Sequence, residues 1–262
     1  MPTENRSGNT EMVSVPERYR LVERNLSTEA QADAASRRAA TARRAPSVKE
    51  NTMQAFGNIT ADGKVYVYPA QPPRDLLWVD QNGHTNFWCS VQGGTLGSSK
   101  YPRTEGRQTL PGTAFSLNWL PGSARHSLAG RVRVEKAPSS GKVIIGQIHA
   151  VNALNPFLMV IWWNGYVRIE IRDVPLGVTR TLLNKQIPLG QMFEYCIQVD
   201  EEGQLTAMLD TLTASAPVNT RWSKYPFYFK AGAYVIDNKG DTSEGGWVVY
   251  ESLEVLPGAL SA

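Results

Sequence analysis

Cysteine is scarce in this chain: Cys89 and Cys196 are the only two among 262 residues. Two cysteines build no disulfide framework, and their separation is not that of a metal knuckle. Cys196 lies inside an alternating pattern with Phe193, Tyr195, Ile197 and Val199, so two separate thiols are expected rather than a bridge. Long apolar runs are also missing. Phe157 to Trp163 is far too short to span a bilayer, and no membrane partner is expected. No apolar segment follows the first charges, so no secretory leader is visible and export would need another route. Charge is sparse and nearly balanced, with charged residues at 19% and a formal net charge of +3. Such a surface suits a polyanionic partner without requiring one. No repeat of fixed length stands out, which argues against a propeller or solenoid.

What is present points to β-structure. There are 22 Gly and 16 Pro for turns, and seven Trp, ten Tyr and seven Phe for a core. Residues 1–50 differ from the rest: Ser27-Thr28 is placed to cap an Ala-rich stretch from Glu29 to Arg44. That stretch has little to bury, so a solvated helix or a disordered extension is expected there. Residues 51–262 are expected to form one all-β domain. Lys64 to Tyr68, Leu128 to Val134, Lys142 to His149, Phe193 to Asp200, Gln204 to Asp210, Tyr225 to Ile236 and Trp247 to Val255 read as strands. The clearest hairpin joins Phe157–Trp163 to Tyr166–Arg172 through Asn164-Gly165, a pair suited to the two-residue turn. Val167, Ile169 and Ile171 alternate with Arg168, Glu170 and Arg172, so one face is buried and one is wet. Short strands between Gly/Pro-rich turns imply a sandwich or jelly roll.

Three segments carry polar groups on alternate positions, which share a face in an extended chain. In Tyr101–Arg107, Arg103, Glu105 and Arg107 project together. A surface salt-bridge ladder would explain that pattern, and so would a fork that grips an external carboxylate. In Gly146–Ala150, Gln147 and His149 share a face, with Ile148 directed to the core. In Tyr228–Tyr234, the residues Tyr228, Lys230, Gly232 and Tyr234 face one way, and Gly232 leaves a gap where a ligand could approach the backbone. Each signal is weak alone. Together they supply Arg, Gln, His, Lys and Tyr without a spare carboxylate pair or a nucleophile elbow. That set suits proton abstraction beside a carboxylate: Arg and Gln neutralise the charge, His or Tyr takes the proton, and Tyr returns one to the leaving oxygen. A Tyr acting as base would need a nearby cation such as Lys230 or Arg103.

These segments, Arg103–Arg107, Gln147-Ile148-His149 and Tyr228–Tyr234, occur in an order that resembles polysaccharide lyase family 7, the jelly-roll alginate lyases. Gly93-Gly94-Thr95, Ser98-Ser99, Tyr101-Pro102 and His126-Ser127-Leu128 match as well. The likeness spans about residues 75–256. It implies a sandwich of two antiparallel sheets with a concave substrate groove, and β-elimination on an acidic polysaccharide. It further implies that Arg103, Gln147, His149 and Tyr234 are catalytic and that Glu105, Arg107, Lys230 and Tyr228 shape the subsites. No metal or other cofactor is implied. Two positions depart from the family pattern. Gly106 stands where a bulky apolar residue is usual, and Ile236-Asp237 stands where Gln is usual. Both are expected near the groove. Ile148 between Gln and His is a family tendency toward guluronate-containing blocks. Glucuronan is the alternative polymer, and a lectin-like jelly roll that binds acidic glycan without cleaving it is the rival class. A hydrolase is disfavoured by the lack of paired carboxylates, and nucleic acid by the lack of a basic stacking strip in the β domain. A monomer acting on extracellular polymer is the expectation.

Overall fold

The structure, a computed structural model, describes residues 53–256. The extension expected over residues 1–50 lies outside the described residues. Two antiparallel sheets form the sandwich. Across the eight-stranded sheet the order is β10 (Thr179–Gln186), β9 (Tyr166–Arg172), β8 (Leu158–Trp163), β7 (Lys142–Ala150), β14 (Phe227–Val235), β5 (Arg103–Arg107), β1 (Asn58–Ala61) and β2 (Lys64–Val67). The seven-stranded sheet runs β13 (Leu212–Pro217), β12 (Gln204–Leu209), β11 (Phe193–Val199), β6 (His126–Lys136), β15 (Gly245–Leu256), β4 (Thr85–Ser90) and β3 (Leu77–Val79). This is the expected jelly-roll sandwich. Among the described residues the only helical element is a 3-10 turn at Thr220–Trp222, and no helix is long and apolar enough to cross a membrane.

The alternation seen in the sequence becomes burial. On β6, Leu128, Val132 and Val134 face the core; β7 and β14 answer with Val143, Ile145, Ile148, Phe227 and Phe229. Each such side chain contributes about 1.5–3 kcal/mol when removed from water. Asn164 and Gly165 both have positive φ, 49° and 84°. That is the twist of a type I′ turn, and it pairs Trp163 with Tyr166 at the end of β8 and β9.

Strand β7 breaks its own alternation. Val143 and Ile145 point into the core, and so do Ile148 and Ala150. The phase slips because Ile144 pairs with Ile161 while Gly146 pairs with Val160, leaving Ile145 as an extra residue. A continuous alternation from Ile144 would bury Gln147 and His149; the bulge turns both outward. Tyr250 and Tyr195 stand beneath it. A Cβ on Gly146 would come within 2.8 Å of the Tyr195 hydroxyl, so the bulge needs a residue without one.

Two expectations are corrected. Gly232, with φ 147°, does not open a gap for a ligand. A Cβ there would sit 2.4 Å from the Thr104 carbonyl oxygen and 2.8 Å from the Cα of Glu105, so the adjacent strand claims that space. Gly106 does not border the outer face. It points inward, and a Cβ would lie 2.8 Å from the Cβ of Phe56, whose buried ring takes the volume a larger residue would fill. Ile236 does lie outward, packed with Tyr234 against Ile144, Met159 and Ile161. The cysteines are unpaired; Cys89 is buried, and Cys196 is half-buried.

Candidate active site

Strand pairing assembles the three polar segments. β14 lies between β5 and β7, so residues far apart in the chain meet in register. Tyr234 is opposite Arg103, Gly232 opposite Glu105, and Lys230 opposite both Arg107 and Gln147. Tyr228 is opposite His149. All eight candidate residues therefore occupy one patch of the outer face of the eight-stranded sheet.

Glu105 is the hub. Its side chain is 1% exposed and accepts Nη1 of Arg103 at 3.2 Å, together with Nζ of Lys230 and Nε2 of Gln147. Burial would raise its pKa, but Lys230, Arg103 and the hydrogen bonds from Lys230 and Gln147 outweigh that and hold it below the ordinary carboxylate range. Sealed beneath its partners, Glu105 fixes their positions from below. Arg103 also donates Nη2 to the Ser99 hydroxyl at 2.7 Å, and its guanidinium lies 3.8 Å from the Tyr234 ring centroid. A guanidinium has five N–H donors, so some remain for an incoming anion. Gln147, 2% exposed, keeps a second amide hydrogen beyond the one given to Glu105.

At the other end of the patch, Arg107 lies 3.9 Å from the Tyr228 ring centroid and donates to Asn118 Oδ1 at 2.6 Å and to the Gln108 carbonyl at 3.1 Å. Tyr228 stacks on His149 with ring centroids 5.5 Å apart. Burial raises the Tyr228 phenol above its ordinary value, with Arg107 opposing. Burial, then the charge of Lys230, pushes the His149 imidazole down to about 4, so it is neutral at pH 7. Its Nδ1 lies 3.1 Å from the Ala150 carbonyl oxygen and 2.8 Å from the Ala150 amide nitrogen. With the proton on Nδ1, Nε2 is a base; with Nδ1 accepting from the amide, Nε2–H is a donor. Either form is chemically useful beside a sugar acid.

Arg103, Lys230 and Arg107 share this patch with one carboxylate, Glu105, which pairs with the first two, so the patch carries net positive charge and favours an anionic ligand. Among the described residues, no group of three or more His, Cys, Asp or Glu side chains is placed to hold a metal. The model of the alginate lyase family matches residues 71–256, well over half of the chain. The chain belongs to the alginate lyase family. Solved structures agree. An alginate lyase from Pseudomonas aeruginosa is 28% identical, with 78% of this chain and 98% of that chain covered and a TM-score of 0.68. Alginate lyase A1-II′, a member of polysaccharide lyase family 7, is 24% identical over 81% of this chain and 99% of its own, at a TM-score of 0.70. A doubly substituted form of that enzyme, solved in complex with a substrate (GGMG), is 24% identical over 82% of this chain and 97% of its own, at a TM-score of 0.69. No curated protein matches the chain in sequence.

In this family member, Ser99 and Asn118 complete the patch by anchoring Arg103 and Arg107. The sequence marked Ser99 only as part of a family-like stretch. It offered nothing for Asn118, which lies in a loop between β5 and β6 and meets Arg107 only through folding.

Proposed function

We propose that the protein cleaves alginate by β-elimination on the outer face of β5, β14 and β7. The observation that carries this reading is the Arg103–Glu105–Lys230–Gln147 cluster beside neutral His149, with Tyr234 held under Arg103. Donors from Arg103 and Gln147 neutralise the uronate carboxylate and make the C5 proton more acidic. His149 or Tyr234 takes that proton. The C5–H electron pair becomes the C4–C5 double bond, the C4–oxygen bond breaks, and Tyr234 protonates the leaving oxygen. Glu105 acts as a positioning residue, while Lys230, Arg107 and Tyr228 frame the sugar. Neighbours solved with a substrate or a product of alginate support the acidic polysaccharide as ligand. A monomer that meets the polymer outside the cell is the accompanying reading, because a large polyanion is degraded where it accumulates.

The test is to incubate the purified protein with alginate, polymannuronate, polyguluronate and glucuronan and to follow the ultraviolet absorbance of the new double bond. Absorbance should rise with alginate. Tyr234→Phe should lower the rate by about 10²–10⁴-fold with unchanged thermal stability. Cleavage of glucuronan alone would overturn the substrate, and binding without unsaturated ends would make the protein a lectin.

A further inference from the structure

We infer that the outer face of β8 and β9 carries a second uronate-binding subsite, centred on Trp163 and Arg168, which grips the polymer away from the bond being broken. This rests on the proposed function and extends it to polymer length. Register places the subsite. Tyr234 pairs with Ile144, Ile144 with Ile161, and Ile161 with Arg168. Arg168 therefore lies three strands along the same row as Tyr234, about 14 Å away at the usual strand spacing.

The floor between them is apolar. Ile144, Met159 and Ile161 form a buried patch on the outer face, separate from the core between the sheets. Tyr234 and Ile236 pack on it at one end and Trp163 at the other, so a continuous surface links the reacting centre to Trp163. At that far end two cations converge on one indole. Lys142 Nζ lies 4.7 Å from the Trp163 ring centroid, and the Arg168 guanidinium carbon lies 4.6 Å from it.

Packing alone does not explain this arrangement. Arg168 Nε is buried and makes no hydrogen bond, and among the described residues neither Arg168 nor Lys142 has an ion-pair partner. Glu170, two residues on and on the same face, is within ion-pair distance of neither Arg168 nor Arg172. Two like charges over one ring lack an anion. A uronate supplies both missing parts: a carboxylate for the oriented guanidinium and ammonium, and a C–H face for the indole and its apolar floor. A neutral sugar would leave the cations unanswered.

The experiment measures kcat/KM on alginate oligomers of increasing length, for wild type, Arg168→Gln, Arg168→Lys and Trp163→Leu, with thermal denaturation to confirm folding. The ratio of kcat/KM on long to shortest cleaved oligomer should fall about tenfold in Arg168→Gln and in Trp163→Leu, through KM, as expected for loss of uniform binding. Arg168→Lys should recover part of it. An unchanged ratio in folded variants overturns the subsite. If wild type cleaves no polyuronate, the elimination reading fails separately, and calorimetric titration with polyguluronate still decides the subsite. Weaker binding by Arg168→Gln supports it, and equal binding overturns it.

Discussion

The phenol of Tyr250 donates a 2.6 Å hydrogen bond to the carbonyl of Ile145, the extra residue in the β7 bulge. Tyr250 is fully buried on β15 of the opposite sheet, and its oxygen lies 3.1 Å from that of Tyr195. A core side chain thus satisfies the carbonyl that the bulge removes from regular pairing. That bulge is what turns Gln147 and His149 outward. Tyr250→Phe should cost about 1–2 kcal/mol of stability, read by denaturant titration, and should also lower kcat. Tyr195→Phe leaves the Tyr250 donor in place, so its effect on kcat should be smaller. Equal kcat losses in the two variants would contradict this account.

Glu105 balances buried cations from beneath the site. Glu105→Gln leaves Lys230 without its ion-pair partner and should destabilise the fold by about 3–5 kcal/mol. Adding Lys230→Met should recover part of that stability, because the orphaned charge is gone. A double-mutant cycle read by thermal unfolding measures the coupling; additive losses would show that the two side chains act independently.

Two imidazoles are held in the neutral form, His126 buried and His149 half-buried. Burial pushes His126 and His149 each down to about 4, against about 6.5 in an unfolded chain. Between those values the unfolded state binds protons that the folded state refuses, so stability is fully present above about pH 6.5 and falls as the pH drops toward about 4. His126→Gln should flatten that slope. Proton NMR of the imidazole carbons should place the His149 midpoint near 4, and a midpoint near 6.5 would remove the basis for a neutral His149 in acid.

Gly106 and Phe56 share one volume. Gly106→Leu should cost about 1–3 kcal/mol by overpacking, measured by thermal unfolding. Phe56→Ala in the same chain should relieve part of the loss. Absence of that relief would mean the clash is not with Phe56.

The strand content was readable along the chain because burial on a sheet repeats every second residue. Tyr166–Arg172 and the Asn164-Gly165 turn follow that local rule, and the grouping of Arg103, Glu105 and Arg107 follows it too. Five strands escaped the reading, β1, β3, β4, β10 and β13; most are short or lie at sheet edges, where the polar face and the turn residues blur the period. Residue types and their order along three segments were enough to point to elimination chemistry. Folding alone settled their arrangement: β14 comes late in the chain yet inserts between β5 and β7, and only that insertion sets Lys230 beside Glu105 and Tyr234 under Arg103. The inward aim of Gly106, the strand contact at Gly232 and the Tyr250 support of the bulge were equally invisible, since each depends on a neighbour distant in sequence. Alternation is a property of one strand, whereas register and close approach are properties of pairs.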